Sequence, residues 1–152
     1  MDQDQRVADG AGAAGRRRQR RMRPEDYARL LAFRTTLRRF TRWSEEQAKA
    51  VGLTAAQHQL LLAVKGHDDP RGPSVGDVAE HLLLRQHSAL ELVDRAVAAG
   101  LLERHRDEAD RRVVRLALTP HAEDDLEKLT LQHLDELRRL APALGGLVEG
   151  LD

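Results

Sequence analysis

The chain has 152 residues, with 25 basic and 25 acidic side chains and no cysteine. That length suits one ordinary domain, and the lack of cysteine excludes disulfides, thiolate catalysis and cysteine-based zinc sites. The longest apolar run is seven residues, 96–102, whereas a membrane helix needs about 20. Charge without an apolar signal core at the N-terminus argues against secretion. We therefore predict a cytoplasmic protein with no membrane partner.

Charge is distributed unevenly along the chain. Residues 1–23 hold seven Arg and three Asp, whereas residues 119–152 hold three basic and eight acidic side chains. Residues 9–21 mix Gly, Ala and Arg without apolar periodicity, which predicts a disordered basic arm over residues 1–22. Two interpretations of this arm stay open: a solvated leader, or an arm that adds non-specific affinity for DNA.

Helical patterns dominate the first half of the chain after this arm. Residues 24–51 carry an apolar stripe at heptad-like spacing, which is typical of a dimerisation helix, although Ser44 could cap a new turn and break it. Thr54 and Ser74 are N-cap residues that each open a shorter helix. A fourth helix is predicted over residues 86–99, because Gly100 is a suitable residue to end it.

Two strand-like runs, residues 101–106 and 112–118, follow the fourth helix. In the second run Val114, Leu116 and Leu118 alternate with Val113, Arg115 and Ala117, which predicts that the first three lie on one buried face. Pro120 then opens a long helix, which Pro142 and the glycines after it are expected to break, leaving a short apolar tail. The order α-α-α-α-β-β-α-α predicts a mainly α protein with a small β-hairpin: a winged helix-turn-helix with extra helices at both ends.

The helix-turn-helix indicates a surface that reads DNA. The second helix of this motif presents its N-terminal turn to base edges in the major groove, and here that turn is Arg85, Gln86, His87 and Ser88. Arginine pairs with guanine and glutamine with adenine. Two helices and a tight turn alone favour the interpretation of these residues as solvated capping residues, but the hairpin directly after them reverses the balance in favour of DNA binding.

The hairpin itself has two interpretations. In the first, Asp107, Glu108 and Asp110 form local ion pairs with neighbouring arginines, and the hairpin has no other role. Exposed pairs of that kind contribute little to stability. In the second, the hairpin is a wing that inserts arginine into a minor groove, where a narrow groove attracts positive charge, and Asp110 orients one of those arginines.

The stretch VGDVAEHLLLRQHSALELVDRAVAAGLLERHRDEADRRVVRLALTPHA resembles the MarR family of bacterial transcriptional regulators. The resemblance covers most of residues 24–142 and is most specific in the hairpin. It implies a single domain over residues 23–152, with dimerisation helices at 24–51 and 120–151 around a winged helix-turn-helix at 54–118.

The resemblance also implies roles for individual residues. Arg112 matches the wing arginine that enters the minor groove, and Asp110 matches the acid two residues before it. Glu91 differs from the basic or hydroxylic residue that many members carry, yet its carboxylate can accept from a cytosine amino group. The predicted DNA-binding residues are Arg85, Gln86, His87, Ser88, Glu91, Arg95, Arg106, Asp110, Arg111 and Arg112.

Family members often bind small aromatic or anionic effectors between the dimerisation helices and the DNA-binding lobe. Arg39, Trp43 and His58 are the candidates for such a pocket, and a dimer-interface role for Trp43 stays open. The seven histidines show no metal-ligand spacing, so we predict neither a metal nor another cofactor. No nucleophile–base pair or phosphate loop is visible, which predicts that the protein is not an enzyme.

The predicted function is a sequence-specific DNA-binding transcriptional regulator. It would act as a homodimer on a pseudo-palindromic operator in double-stranded DNA, as a repressor relieved by a small ligand. The alternative is a winged helix used only for protein–protein contact, with Leu90 and Glu91 marking a surface that does not read bases.

Overall fold

The structure, a computed structural model, describes residues 21–149. Most of the predicted basic arm, residues 1–20, lies outside the described residues. Within the described range the chain forms five helices and one two-stranded hairpin. The elements are α1 Pro24–Ala50, α2 Ala55–Lys65, α3 Val75–Leu82, α4 Gln86–Ala98, β1 Leu102–Arg106, β2 Val114–Leu118 and α5 Pro120–Val148.

Helix α1 is continuous, so the predicted break at Ser44 is wrong. Its first turn carries Glu25 and Asp26, where the helix dipole favours acidic side chains. The Ser44 hydroxyl does not cap a new turn, because it hydrogen-bonds across to Nε2 of His133 on α5 at 2.7 Å. A side chain used between helices is no longer available to compete with the helical backbone. Helix α1 therefore runs unbroken past Ser44 and contacts α5.

Reciprocal caps begin the two helices that support the DNA-binding lobe. The Thr54 hydroxyl accepts from the Gln57 amide, and the Gln57 side chain accepts from the Thr54 amide. Ser74 and Asp77 make the same arrangement at α3, and donation by the Ser74 amide is the main reason that the pKa of Asp77 is lowered. These capping boxes satisfy helix-end amides that would otherwise lack partners, and they confirm the predicted starts of α2 and α3.

The hairpin pairs β1 with β2 in an antiparallel register that runs from Leu102 opposite Leu118 to Arg106 opposite Val114. Leu116 and Leu118 are buried, as the alternating pattern predicts. Val114 is 37% exposed, so its predicted place on the buried face is wrong. It lies at the far end of the hairpin, where the lobe beneath no longer covers the strand.

The segment before α3 adds a further contact to the sheet. The Leu116 amide donates to the carbonyl of Pro73 at 2.9 Å, and Pro73 is fully buried. Gly72 adopts φ +89°, and a Cβ atom there would lie 2.3 Å from the carbonyl oxygen of Leu116. Only glycine allows both this backbone conformation and this close approach. The segment that leads into α3 is therefore docked on β2.

Helix α5 continues through Pro142, so the predicted break and the eighth element are wrong. Proline removes one N–H from the helical ladder, and the leucines and alanines around it keep the helical conformation. Leu140, Leu144 and Leu147 are half-buried and lie on one face of the helix, which gives the last turns a packed side. The segment that looked like a short tail is the end of a 29-residue helix.

One hydrophobic core contains residues from all of these elements. Buried leucines, valines and alanines from α2, α3, α4 and the hairpin meet Ala48 of α1 and the first turns of α5. The mainly helical winged-helix fold is thus as predicted. Among residues 21–149, no helix is both long and apolar enough to span a membrane.

Candidate nucleic-acid interface

Helix α4 places the predicted base-reading side chains at the surface. Its inner face is closely packed, since Ala89, Val93 and Ala96 are fully buried. Helical periodicity then directs the opposite face to solvent. Among the residues of this region that were predicted to bind DNA, Ser88 is half-buried and the others are exposed: Arg85, Gln86, His87, Glu91 and Arg95.

The turn between α3 and α4 sets the direction in which α4 leaves the core. Leu83 ends α3 in the left-handed conformation, with φ 54° and ψ 40°, and its side chain is 92% exposed. The amide of Leu84 closes the turn by donating to the carbonyl of Ala79 at 2.9 Å. A leucine in the left-handed conformation is strained, so contacts with neighbouring residues, such as this hydrogen bond, must stabilise the turn. The N-terminal turn of α4 is thereby presented away from the lobe.

Asp110 and Arg112 form a fork-shaped pair near the end of the hairpin. The Arg112 side chain donates twice to Asp110, at 3.1 and 3.2 Å, and its amide donates a third time at 3.1 Å. These bonds lower the pKa of Asp110, the side-chain bond being the largest cause. The Arg112 side chain is nevertheless 92% exposed. Asp110 thus restricts the guanidinium while leaving it accessible.

The other predicted wing arginines are also at the surface. Arg106 and Arg111 are exposed, and Arg106 donates to the carbonyl of Arg111 at 3.2 Å. Arg104 of β1 donates instead to Asp94 on the exposed side of α4. This pair joins the wing to the recognition helix, so the two predicted DNA-contacting elements are held side by side.

Asp107 is the functional residue that sequence reasoning assigned to the wrong partners. Its side chain is only 1% exposed. One oxygen accepts from the amides of Ala109 and Asp110, and the other accepts from Arg71 at 3.1 Å and Arg115 at 2.9 Å. These bonds lower its pKa, the Asp110 amide first. Asp107 therefore anchors the loop between β1 and β2 through Arg71 and Arg115. The local ion-pair interpretation, which pairs it with Arg104, Arg106, Arg111 or Arg112, is wrong for this residue.

The loop before α3 supplies the rest of this network. Arg71 forms a two-bond pair with Asp69, and Arg115 also donates to the carbonyl of Gly72 at 3.2 Å. Paired, partly buried charges of this kind are geometrically demanding. The network fixes the wing against the lobe from the side opposite its exposed arginines. The run HDDPRGP over residues 67–73 signals a loop in the sequence, but not the contacts that the loop makes.

Two of the three predicted effector residues lie in one cluster of rings between α1, α2 and α5. The His133 ring lies 4.8 Å from the rings of both Trp43 and His58, and Phe40 is 5.9 Å away. His58 is buried. Arg39 is exposed, and among the described residues it makes none of the hydrogen bonds or ring contacts of this cluster. The structure thus separates Arg39 from Trp43 and His58, and adds His133.

The His133 ring is held at both nitrogens. Nδ1 lies 2.7 Å from the carbonyl oxygen of Leu129, which can only accept, so Nδ1 donates there. Nε2 of the neutral ring then accepts from the hydroxyl of Ser44. His58 has a lowered pKa, first because of burial and then because of His133. The fold therefore favours the neutral form of His58.

We expect this environment to make stability depend on pH. Because His58 has a lower pKa in the folded chain, the unfolded chain takes up the proton first as pH falls below about 6.5. Stability from the neutral ring is complete above that pH and is lost as pH falls toward the folded-state pKa. Denaturant unfolding at pH 7.5 and 5.5 should show a smaller loss of stability in His58→Gln than in the wild type.

An exposed histidine provides the control for this measurement. His87→Gln removes a solvent-exposed ring from α4 and should leave the pH dependence of unfolding as it is in the wild type. If His58→Gln and the wild type show the same pH dependence of unfolding, His58 is not the source of that dependence. Carboxylates with lowered pKa values titrate below this pH range, so they do not obscure the comparison.

Four of the seven histidines, which are dispersed in the sequence, form two pairs in space. His133 lies against His58, and Nδ1 of His67 lies 3.0 Å from Nε2 of His81. Within residues 21–149 no group of three or more histidine or acidic side chains is arranged to hold a metal ion. Both pairs join residues far apart in the sequence, so spacing alone does not reveal them.

Comparisons with known proteins agree with this geometry. The family model described as "MarR family" matches residues 51–113. None of the curated protein sequences is similar enough to the chain to count as a match. The structural matches cover more of the chain than the family model does.

Three solved structures illustrate the shared fold. A MarR family protein from Bacillus stearothermophilus is 22% identical, with TM-score 0.65, over 87% of this chain and 86% of that one. AbsC from Streptomyces coelicolor, a MarR family transcriptional regulator, is 22% identical, with TM-score 0.65, over 79% and 80%. MepR of S. aureus in its DNA complex is 17% identical, with TM-score 0.60, over 72% and 78%. Residues 51–113 thus match the MarR family model, and the chain shares the fold of these solved structures.

Proposed function

We propose that this protein is a sequence-specific DNA-binding transcriptional regulator. One observation carries the proposal: strand β1 of the wing packs against α4, so exposed arginines flank an exposed base-reading turn. Together they form one surface with hydrogen-bond donors for bases and positive charge for phosphates. The relative MepR has been solved bound to an oligodeoxyribonucleotide, which supports the same ligand class for this surface.

The active species in this proposal is a homodimer. Helices α1 and α5 expose large apolar side chains that a single copy leaves in water, and a second copy would cover them. Two recognition helices would then enter successive major grooves of a pseudo-palindrome, roughly one helical turn apart. The exposed apolar residues are Tyr27, Leu30, Leu31, Phe33 and Leu37 of α1, and Leu131, Leu134, Leu137 and Val148 of α5.

The regulatory output in this proposal is repression that a small aromatic or anionic ligand relieves. The ring cluster of Trp43, His58 and His133 joins the long helices to the DNA-binding lobe. A ligand that binds better when these elements are spaced unsuitably for DNA would shift the population toward that state. This coupling needs no contact between the ligand and the DNA.

A salt titration tests the DNA-binding proposal against a module that contacts only proteins. The probe is a duplex from the region upstream of the protein's own gene, compared with a random-sequence duplex pool. Neutralising about four phosphates should make affinity fall about 100-fold between 50 and 200 mM salt. An affinity that is absent, or that does not change with salt, would exclude the DNA-binding function and favour the protein-contact alternative.

A further inference from the structure

Leu90 is an apolar side chain on the otherwise polar outer face of α4. It is 45% exposed and lies one helical turn after Gln86, with Glu91 next to it. The inner face of the same helix is filled by smaller apolar residues that are fully buried, such as Ala89 and Val93. Leu90 is not part of the buried core, so its exposed surface is available to a partner that binds α4.

The major groove offers one apolar feature that fits such a side chain. Among the four base pairs, only thymine presents a methyl group there, and apolar side chains contact it. Phosphates and the other base edges are polar, so an exposed leucine gains nothing from them. The preceding turn carries Gln86, whose amide has the geometry to pair with adenine. Gln86 and Leu90 together are suited to sequence rich in A·T pairs.

We infer that Leu90 is a specificity-determining residue that reads the 5-methyl group of a thymine in each half-site. This inference rests on the proposed DNA-binding function and deepens it. It also gives a role to Leu90, the residue that makes the outer face of α4 differ from a wholly polar face. A protein partner that covers Leu90 is the competing occupant, and the experiment below separates the two.

The test removes the methyl group from the DNA and the side chain from the protein in turn. Duplexes that the wild-type protein enriches from a random pool are remade with uracil in place of each thymine, one position at a time. At one position per half-site, uracil should weaken wild-type binding about fourfold, the effect of one buried methyl group. Leu90→Ala should weaken binding to the thymine duplex by at least as much and should not respond to uracil at that position.

Leu62→Ala is the matched control, because Leu62 is 49% exposed but lies on α2. It should respond to uracil as the wild type does. If no uracil position weakens the wild type, or if Leu90→Ala responds to uracil unchanged, Leu90 does not read a methyl group and the inference is wrong. If the wild type enriches no duplex at all, the proposed function itself fails, and the inference fails with it.

Discussion

Replacing Arg112 with alanine should weaken binding to the operator duplex by about 10- to 100-fold while leaving the folded protein nearly unchanged. The guanidinium side chain is 92% exposed, and within residues 21–149 it hydrogen-bonds to Asp110, which is itself at the surface, so the core does not depend on it. Loss of an arginine that contacts DNA removes on the order of 1–3 kcal/mol of binding free energy. Fluorescence anisotropy with the enriched duplex measures the affinity, and thermal melting with analytical ultracentrifugation measures stability and dimer state.

Arg138→Ala is the control for the loss of one exposed arginine. Arg138 is 74% exposed and pairs within α5 with Asp135, so its removal changes net charge equally without touching the wing. It should reduce DNA affinity far less than Arg112→Ala does. Equal affinities for Arg112→Ala and the wild type would mean that the wing does not contact DNA, even if the recognition helix does.

Replacing Gly72 with alanine should destabilise the protein by about 3 kcal/mol. The backbone at Gly72 has φ +89°, and the added Cβ would lie 2.3 Å from the carbonyl oxygen of Leu116. Left-handed strain and overpacking each cost about 1–3 kcal/mol. The clash is with backbone, which the hydrogen bond between Leu116 and Pro73 holds in place, so relaxation must move the wing. Denaturant unfolding measures the change in free energy.

Gly52→Ala separates the two contributions to this effect. Gly52 has φ +82°, but an added Cβ there would meet nothing within 4 Å. It should therefore show the strain alone, about 1 kcal/mol. If Gly72→Ala and Gly52→Ala destabilise the protein equally, the close approach of the loop to β2 contributes nothing, and the docked position of the wing must have another origin.

Local sequence was sufficient to predict most of the secondary structure. The caps Thr54 and Ser74 begin their helices where expected, and Gly100, with φ +72°, lies just past the end of α4. Local signals failed at Ser44 and Pro142. At Ser44 the hydroxyl is used in a hydrogen bond to α5, and at Pro142 the helix continues with one half-buried face; a local pattern describes neither.

The parts of the candidate site that depend on short-range features of the sequence were also predictable. The exposure of Arg85, Gln86 and His87 follows from the helical period of α4, and the Asp110–Arg112 pair joins residues two positions apart. The partners of Asp107 come from a loop 36 residues away and from the facing strand. Charge counting within the hairpin offers several equally good partners for Asp107, so it could not select the right ones.

The sequence by itself determined where helices begin, which face of each is apolar, and which short-range pair the wing carries, because these depend on capping, periodicity and neighbouring residues. Only the tertiary structure decided that Asp107 anchors the wing to Arg71 and Arg115, and that His133 lies between Trp43 and His58. Those contacts depend on how distant elements pack. Packing is set by the shape of the whole core, which no short stretch of the chain contains.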